Sequence, residues 1–177
     1  ADVQILLTSN EGWGLTITEA ILAGTPIIAN TTGGMQDQMR FVDEDGKWFT
    51  PSPEIPSNHR GTYKEHGEWA FPVYPTSRSI QGSPMTPYIY DDRCSFEDAT
   101  ERIKECYELG RVELKRRGLK GREWVMSDEA GFTSEQQAKK VIEAFDQLFD
   151  TWEPREKYEL INATEYKGKF INHKIIY

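Results

Sequence analysis

The residues best suited to chemistry fall within one stretch, residues 9–34, which reads SNEGWGLTITEAILAGTPIIANTTGG. Glu11 lies in a glycine-containing loop, and Glu19 lies in the first turn of the helix predicted to follow it. Carboxylates accept hydrogen bonds from hydroxyl groups, and neighbouring hydroxyls are what a sugar or a ribose presents. The two acids therefore predict contacts to a ligand rich in hydroxyl groups.

The loop itself has the composition of an anion site. Gly12 and Gly14 flank Trp13, so the backbone can turn sharply there and approach a ligand closely. A helix that opens at Leu15 or Thr16 points its free N–H groups and the positive end of its dipole towards the same place. A helix N-terminus after a glycine turn is a favourable phosphate site. We expect backbone amides to hold a diphosphate here.

These residues require a particular set of elements around them. Residues 3–8 predict a buried strand, residues 15–23 a helix that ends at Gly24 before Pro26, and residues 27–30 a second strand. A strand, glycine loop, helix and strand in this order form a βαβ unit with two parallel strands. Ligands bind such sheets at the carboxyl ends of the strands, which is where the loop lies.

The same string resembles the donor-site signature of retaining glycosyltransferases with the GT-B fold, of the family-4 type. That signature has a Glu, a Gly-aromatic-Gly turn, a second Glu eight positions on, Gly-x-Pro, and a strand that ends at Gly-Gly. The chain matches it at Glu11, residues 12–14, Glu19, residues 24–26 and residues 33–34. The resemblance implies an α/β fold, namely the Rossmann-like C-terminal half of a GT-B enzyme, with a parallel sheet remnant followed by C-terminal helices.

The resemblance also implies a role for each matching residue. Glu11 would be the catalytic residue, contacting hydroxyls of the donor sugar, and Glu19 would bind the ribose. The amides of residues 14–16 would hold the diphosphate, with Leu15 beside the base, and the glycines at 33–34 would border the donor sugar. The substrate-binding residues are then Gly12, Trp13, Gly14, Leu15, Thr16, Glu19, Gly33 and Gly34.

The implied activity is transfer of a sugar, hexosyl-like, from a nucleotide-diphosphate sugar to an acceptor hydroxyl with retention of configuration. The acceptor is an unidentified glycan or small molecule, and the activity needs neither a cofactor nor a metal. In that family a basic Arg and Lys pair and the acceptor domain come before the motif, whereas this chain begins one strand before it. We therefore expect a fragment that is inactive alone and whose partner is the missing N-terminal part of the enzyme.

Other interpretations of these residues remain open. Residues 16–19 fit a capping box, in which Glu19 would only satisfy backbone donors at the helix start. Trp13 fits a packing role at the turn better than a stacking platform. The Gly12-x-Gly14 pattern also resembles a dinucleotide fingerprint, but Ile17 occupies the place of its third glycine. A different class of function is a non-catalytic module that binds a nucleotide or nucleotide sugar, or that docks a partner.

The remainder of the chain predicts one domain over residues 1–150 and a C-terminal tail over residues 151–177. Residues 51–93 predict a long irregular insertion because they hold seven of the nine prolines, and only residues 68–74 look like a strand there, at an edge because of Pro72. Asp91 and Asp92, beside Tyr88 and Tyr90, fit either an acceptor path or a loop-stabilising role.

Three helical segments follow. The first is capped by Ser95. The second covers residues 112–126 with interruptions at Gly118 and Gly121, and its basic character fits a solvated face or a contact to a polyanion. The third begins at Ser134, with Gln137 completing a capping box, and its inward-facing residues are Ala138, Val141, Ile142, Phe145, Leu148 and Phe149. Residues 169–177 in the tail have weak strand character.

Composition excludes several classes of function. The formal net charge of −8 argues against a nucleic-acid partner, and no apolar run is long enough for a membrane span. Cys94 and Cys106 are the only cysteines, so a disulfide scaffold is not expected and a cytoplasmic location is. The three histidines are scattered along the chain, which does not predict a metal site.

Overall fold

The computed structural model describes residues 1–154 and shows a mixed α/β fold. A three-stranded parallel sheet contains β1 (Gln4–Leu6), β2 (Ile27–Asn30) and β3 (Ala70–Val73) in that spatial order. The helices are α1 (Leu15–Leu22), α2 (Phe96–Val125) and α3 (Ser134–Thr151). Within residues 1–154, no helix has the combination of length and apolar character that a membrane span needs.

The sheet confirms the predicted βαβ unit. Ile5 pairs with Ile28 between β1 and β2, and Ile28 pairs with Phe71 between β2 and β3, all in parallel register. All four residues of β2 are buried, as expected for a central strand covered on both faces. Strand β3 carries Pro72 and lies at an edge of this sheet, which confirms the expectation drawn from the proline.

Helix α1 connects β1 to β2 and turns its apolar stripe to the core. Ile17, Ala20 and Ile21 are its buried residues, the same three that the helical spacing predicts. Gly24 follows the helix with a φ of +73°, a conformation in which glycine has no steric penalty. The turn brings Thr25 N–H to the carbonyl of Ala20 at 2.9 Å, so the helix ends where the sequence indicates.

Helix α2 is interrupted at Gly110 and packs against α1 through Gly118. The predicted interruptions at Gly118 and Gly121 are wrong, since both residues are helical and buried. The departure from helical geometry is at Gly110, with φ 74° and ψ 165°. A Cβ added to Gly118 would overlap the carbonyl oxygen of Gly24. The missing side chain at this position therefore allows the two helices to approach closely.

Residues 51–93 are more regular than the sequence predicts. Strands β4 (Ser77–Ser83) and β5 (Thr86–Arg93) form an antiparallel hairpin with an irregularity between Gln81 and Ser83. The prediction of an irregular segment is wrong for this part of the chain. Both strands are exposed along most of their length, so they lack the alternation of apolar and polar residues that marks a half-buried strand, and Pro87 weakens the strand signal further.

The helix caps of the C-terminal region agree with the sequence for α2 and differ from it by one residue for α3. The cap of α2 is confirmed, because the Asp98 N–H donates to Ser95 Oγ at 3.1 Å. The capping box of α3 uses Thr133 and Gln136, one residue before the predicted pair. Within residues 1–154 no residue of α3 is buried, and the inward face predicted for Ala138, Val141, Ile142, Phe145, Leu148 and Phe149 stays a prediction. The tail predicted as weak strand lies outside the described residues.

The contact at Gly118 leads to a prediction of stability. Alanine normally stabilises a helix by about 1 kcal/mol relative to glycine. In Gly118→Ala the overlap with the Gly24 carbonyl should reverse that sign and lower the unfolding free energy by about 1–3 kcal/mol. Thermal unfolding measures the effect as a loss of several degrees. Gly12→Ala is the control, because nothing lies within 4 Å of a Cβ there; a raised melting temperature for Gly118→Ala would contradict this packing.

Candidate functional site

The loops that follow β1 and β2 lie directly against each other at the carboxyl ends of these strands. Gly34 N–H donates to the Gly12 carbonyl at 3.0 Å. A Cβ on Gly33, which has φ +49°, would overlap the carbonyl oxygen of Glu11, and a Cβ on Gly34 would lie 2.6 Å from the carbonyl oxygen of Gly12. The two glycines thus allow a backbone contact that a side chain at either position would prevent.

A closed ring of side-chain hydrogen bonds fixes the loop after β1. The Trp13 indole N–H donates to Thr18 Oγ1 at 2.9 Å, and the Thr18 hydroxyl donates to Gln38 Oε1 at 2.7 Å. Gln38 Nε2 closes the ring by donating to the Trp13 carbonyl at 2.6 Å. Gln38 is 0% exposed, so its polar atoms need these partners. The sequence analysis did not identify Gln38, because a buried amide has no distinguishing pattern in sequence.

Trp13 has the packing role that the sequence favours. Its ring meets Phe132 edge to face, with the ring centroids 5.0 Å apart. Phe132 in turn contacts Trp124, which stacks on Trp69 at a centroid separation of 4.9 Å. The Trp69 indole N–H donates to the Gln38 carbonyl at 3.1 Å. The loop after β1 is therefore supported by an aromatic cluster formed with the end of α2.

The start of α1 lacks a side-chain cap within the described residues. Gly14 precedes the helix with φ +83° and ψ 61°. The capping-box interpretation of Glu19 does not hold, because the helix begins at Leu15 and its N-cap residue is Gly14. Leu15 is 71% exposed, and Thr16 and Glu19 are exposed as well. Leu15 and Glu19 are four residues apart and share one face of the helix.

Glu11 lies beside this helix start. Its Cγ atom is 3.5 Å from the position that a Cβ on Gly14 would take, and the side chain is half-buried. The backbone of Glu11 also contacts Gly33 from the second loop. The structure thus brings Glu11, Gly14 and Gly33 together, and it places Glu19 one turn further along α1. Ile17, at the third position of a dinucleotide fingerprint, is fully buried in the core.

The β4–β5 hairpin is attached to the same edge of the sheet. The buried Asp92 accepts a hydrogen bond from the Thr32 hydroxyl at 2.7 Å, and its N–H donates to the Ser9 carbonyl at 2.8 Å. Asn10 Nδ2 donates to the Tyr90 carbonyl at 2.9 Å. Thr32 and Asn10 directly precede the predicted site residues Gly33 and Glu11, and Ser9 precedes Asn10. The sequence analysis noted Asp91 and Asp92 without deciding between a ligand contact and loop stabilisation, and the Asp92 contacts show the second.

Asp37 follows the two glycines in a short 3₁₀ turn (Asp37–Met39) and is partly buried. Burial raises the pKa of its carboxyl group from 3.8 to about 6. A pKa in this range means that the side chain exchanges a proton close to neutral pH. The sequence analysis did not identify this residue, because the shift depends on burial in the folded loop.

Two further candidates are a metal site and the basic face of α2. Among residues 1–154, no group of three or more His, Cys, Asp or Glu side chains could hold a metal ion. The basic face of α2 is extensively ion-paired: Glu113 binds both Arg116 and Arg117, and Lys120 pairs with Glu123. Hydrogen bonds from these arginines lower the pKa of the Glu113 carboxyl group to about 2. The pairing supports a solvated helix face at this position.

Comparison with known proteins adds no family to this description. No protein-family model matches the chain, and no curated protein matches it at a significant level. The functional argument therefore rests on the geometry of the two loops and the helix start.

The hydrogen-bonded ring predicts that substitution of Gln38 lowers the stability of the protein. In Gln38→Glu the donor to the Trp13 and Gly14 carbonyls is replaced by a buried carboxylate oxygen, which should lower stability at neutral pH by about 2–4 kcal/mol. Burial should raise the pKa of the new carboxyl group, so protonation restores a donor and the loss should shrink as pH falls. Denaturant unfolding across pH measures both effects. Gln81→Glu on the exposed hairpin is the control, and a loss independent of pH would contradict the ring.

The raised pKa of Asp37 should also make the free energy of unfolding depend on pH. Because its folded-state pKa lies above its unfolded value of 3.8, its contribution to stability is complete below about pH 4 and is lost as pH rises through 6. Asp37→Asn should therefore stabilise the protein by about 2 kcal/mol near pH 8 and by little near pH 4. Denaturant unfolding at the two pH values tests this. The exposed Asp45→Asn serves as control, and equal stability of wild type and Asp37→Asn near pH 8 would refute the shift.

Proposed function

We propose that this chain is the nucleotide-sugar-binding part of a retaining glycosyltransferase of the GT-B type, Rossmann-like in its sheet and operating in the cytoplasm. One observation carries the proposal. The Gly33–Gly34 loop lies on the backbone of Glu11 and Gly12 beside the uncapped start of α1. This arrangement supports a donor site with amides for a diphosphate and a carboxylate next to them.

The helix face suggests how a nucleotide would be oriented. The diphosphate would bind at the N–H groups of residues 14–16, which carry the positive end of the helix dipole. Leu15 presents an exposed apolar side chain for a base, and Glu19, on the same face, presents a carboxylate for ribose hydroxyls. Glu11, near Gly14, would then contact the donor sugar beyond the diphosphate.

The family resemblance implies the reaction. The bond between the anomeric carbon and the diphosphate oxygen breaks, and its electron pair leaves with the diphosphate. The acceptor hydroxyl oxygen forms the new bond on the same face of the sugar, and its proton passes to the departing diphosphate. Helix-end amides would stabilise part of the developing negative charge, and basic residues would stabilise the rest.

An apolar groove beside β1 supports a contact with further chain of the same enzyme. The groove has a volume of about 490 Å³, and Ile5 and Ile103 in its lining are partly exposed. Strand β1 is at an edge of the described sheet, so its free side can pair with another strand. A further strand of the enzyme would extend the sheet at this edge and cover the groove.

Nucleotide titration tests the donor site directly. Uridine or guanosine diphosphate should bind the chain in calorimetry, and Glu19→Ala should weaken that binding about tenfold while the melting temperature stays unchanged. The exposed Glu44→Ala is the matched control and should bind like the wild type. In the complete enzyme, Glu11→Ala should abolish transfer. Failure of both diphosphates to bind the folded chain, or unchanged turnover of the Glu11 variant, would refute the proposal.

A further inference from the structure

A second cavity lies between the residue 53–62 segment and the root of the β4–β5 hairpin. Its volume is about 590 Å³, a size that suits a small oligosaccharide unit. The proposed donor function does not use any of the residues that line it. Those relevant here are Glu54, Ser57, His59, Arg60, Thr62, Arg78 and Tyr90.

Tyr90 gives this cavity an aromatic wall. The side chain is 54% exposed, and the Arg78 guanidinium carbon lies 4.3 Å from the centroid of its ring. Arg78 Nε in turn lies 2.9 Å from the buried carboxylate of Asp92, which holds the guanidinium in place. An aromatic ring with polar groups beside it matches the surface of a sugar, which has an apolar C–H face and a rim of hydroxyls.

The charges around the cavity balance each other. Arg78 is neutralised by Asp92, and the lining also holds one further cation, Arg60, and one anion, Glu54. Burial, followed by the charge of Arg78, lowers the pKa of His59, which favours the neutral ring. Arg78 Nη1 lies 3.3 Å from Nδ1 and 3.2 Å from Nε2 of that ring. A balanced lining of donors and acceptors favours a neutral polyol over a phosphate or sulfate group.

The cavity is joined to the donor loops through the backbone of β5. The carbonyl of Tyr90 accepts from Asn10, the residue before Glu11. Asp92, two residues further along the strand, accepts from Thr32, the residue before Gly33. The hairpin therefore holds Tyr90 in a fixed relation to both loops of the donor site.

We propose that this cavity binds a neutral saccharide. Tyr90 would contact the C–H face of a sugar ring, and Arg60 and Glu54 would bind its hydroxyls. Saccharide binding at the cavity does not rest on the proposed donor function.

The test applies the full chain to an array of neutral, sulfated and phosphorylated oligosaccharides. Wild type should bind neutral members, and Tyr90→Ala and Arg60→Ala should each weaken that binding about tenfold. Tyr88→Ala removes an equally exposed tyrosine that does not line the cavity, so its binding should remain within about twofold of the wild type. Circular dichroism confirms that each variant is folded.

Three results would overturn the saccharide site: no neutral oligosaccharide bound, binding of sulfated or phosphorylated members alone, or binding unchanged in both cavity variants. Parallel titration with uridine and guanosine diphosphate separates the two proposals. Neutral saccharide binding that depends on Tyr90 and Arg60, without any nucleotide binding, would support the cavity and overturn the donor function. Nucleotide binding without saccharide binding would leave the donor function standing and overturn the cavity.

Discussion

The contact between the loops after β1 and β2 is the constraint on which the site depends. The backbone of Gly33 and Gly34 touches the backbone of Glu11 and Gly12, with no room for a Cβ between them. This contact sets where Glu11 lies and leaves the start of α1 uncovered. The ring formed by Trp13, Thr18 and Gln38 then fixes the loop in one conformation. Glycine is required here for close approach as well as for its conformational freedom.

Two parts of the chain that are distant in sequence contact the same edge of the sheet. The hairpin is fastened to it through Asp92, and the aromatic cluster at the end of α2 supports it through Trp13. Buried hydrogen bonds to backbone carbonyls, as made by Gln38 and Asn30, specify a single arrangement because each lost partner is costly. These hydrogen bonds hold the two loops of the proposed donor site in one arrangement.

The sequence predicts the βαβ unit because its signals are local. Hydrophobic runs, a helical stripe at Ile17, Ala20 and Ile21, and Gly24 as a helix end each depend on neighbouring residues alone. The hairpin, the role of Gly118 and the ring at Gln38 depend on residues that are distant in sequence, and these were missed or misassigned. Gly118 was interpreted as a helix break, whereas its missing side chain serves helix packing. Within the site, the residues could be named from the motif, but Gln38 and Asp37 required the folded loop.

The most direct test of the account is an NMR titration of the labelled full chain with uridine and guanosine diphosphate. The backbone amides of Gly14, Leu15 and Thr16, together with those of Gly33 and Gly34, should show the largest shift changes, because the diphosphate would bind at the helix start between the two loops. Saturable changes centred on these amides are the predicted result. Changes centred elsewhere in the chain, or none at either nucleotide, would contradict the claim that these loops form a donor site.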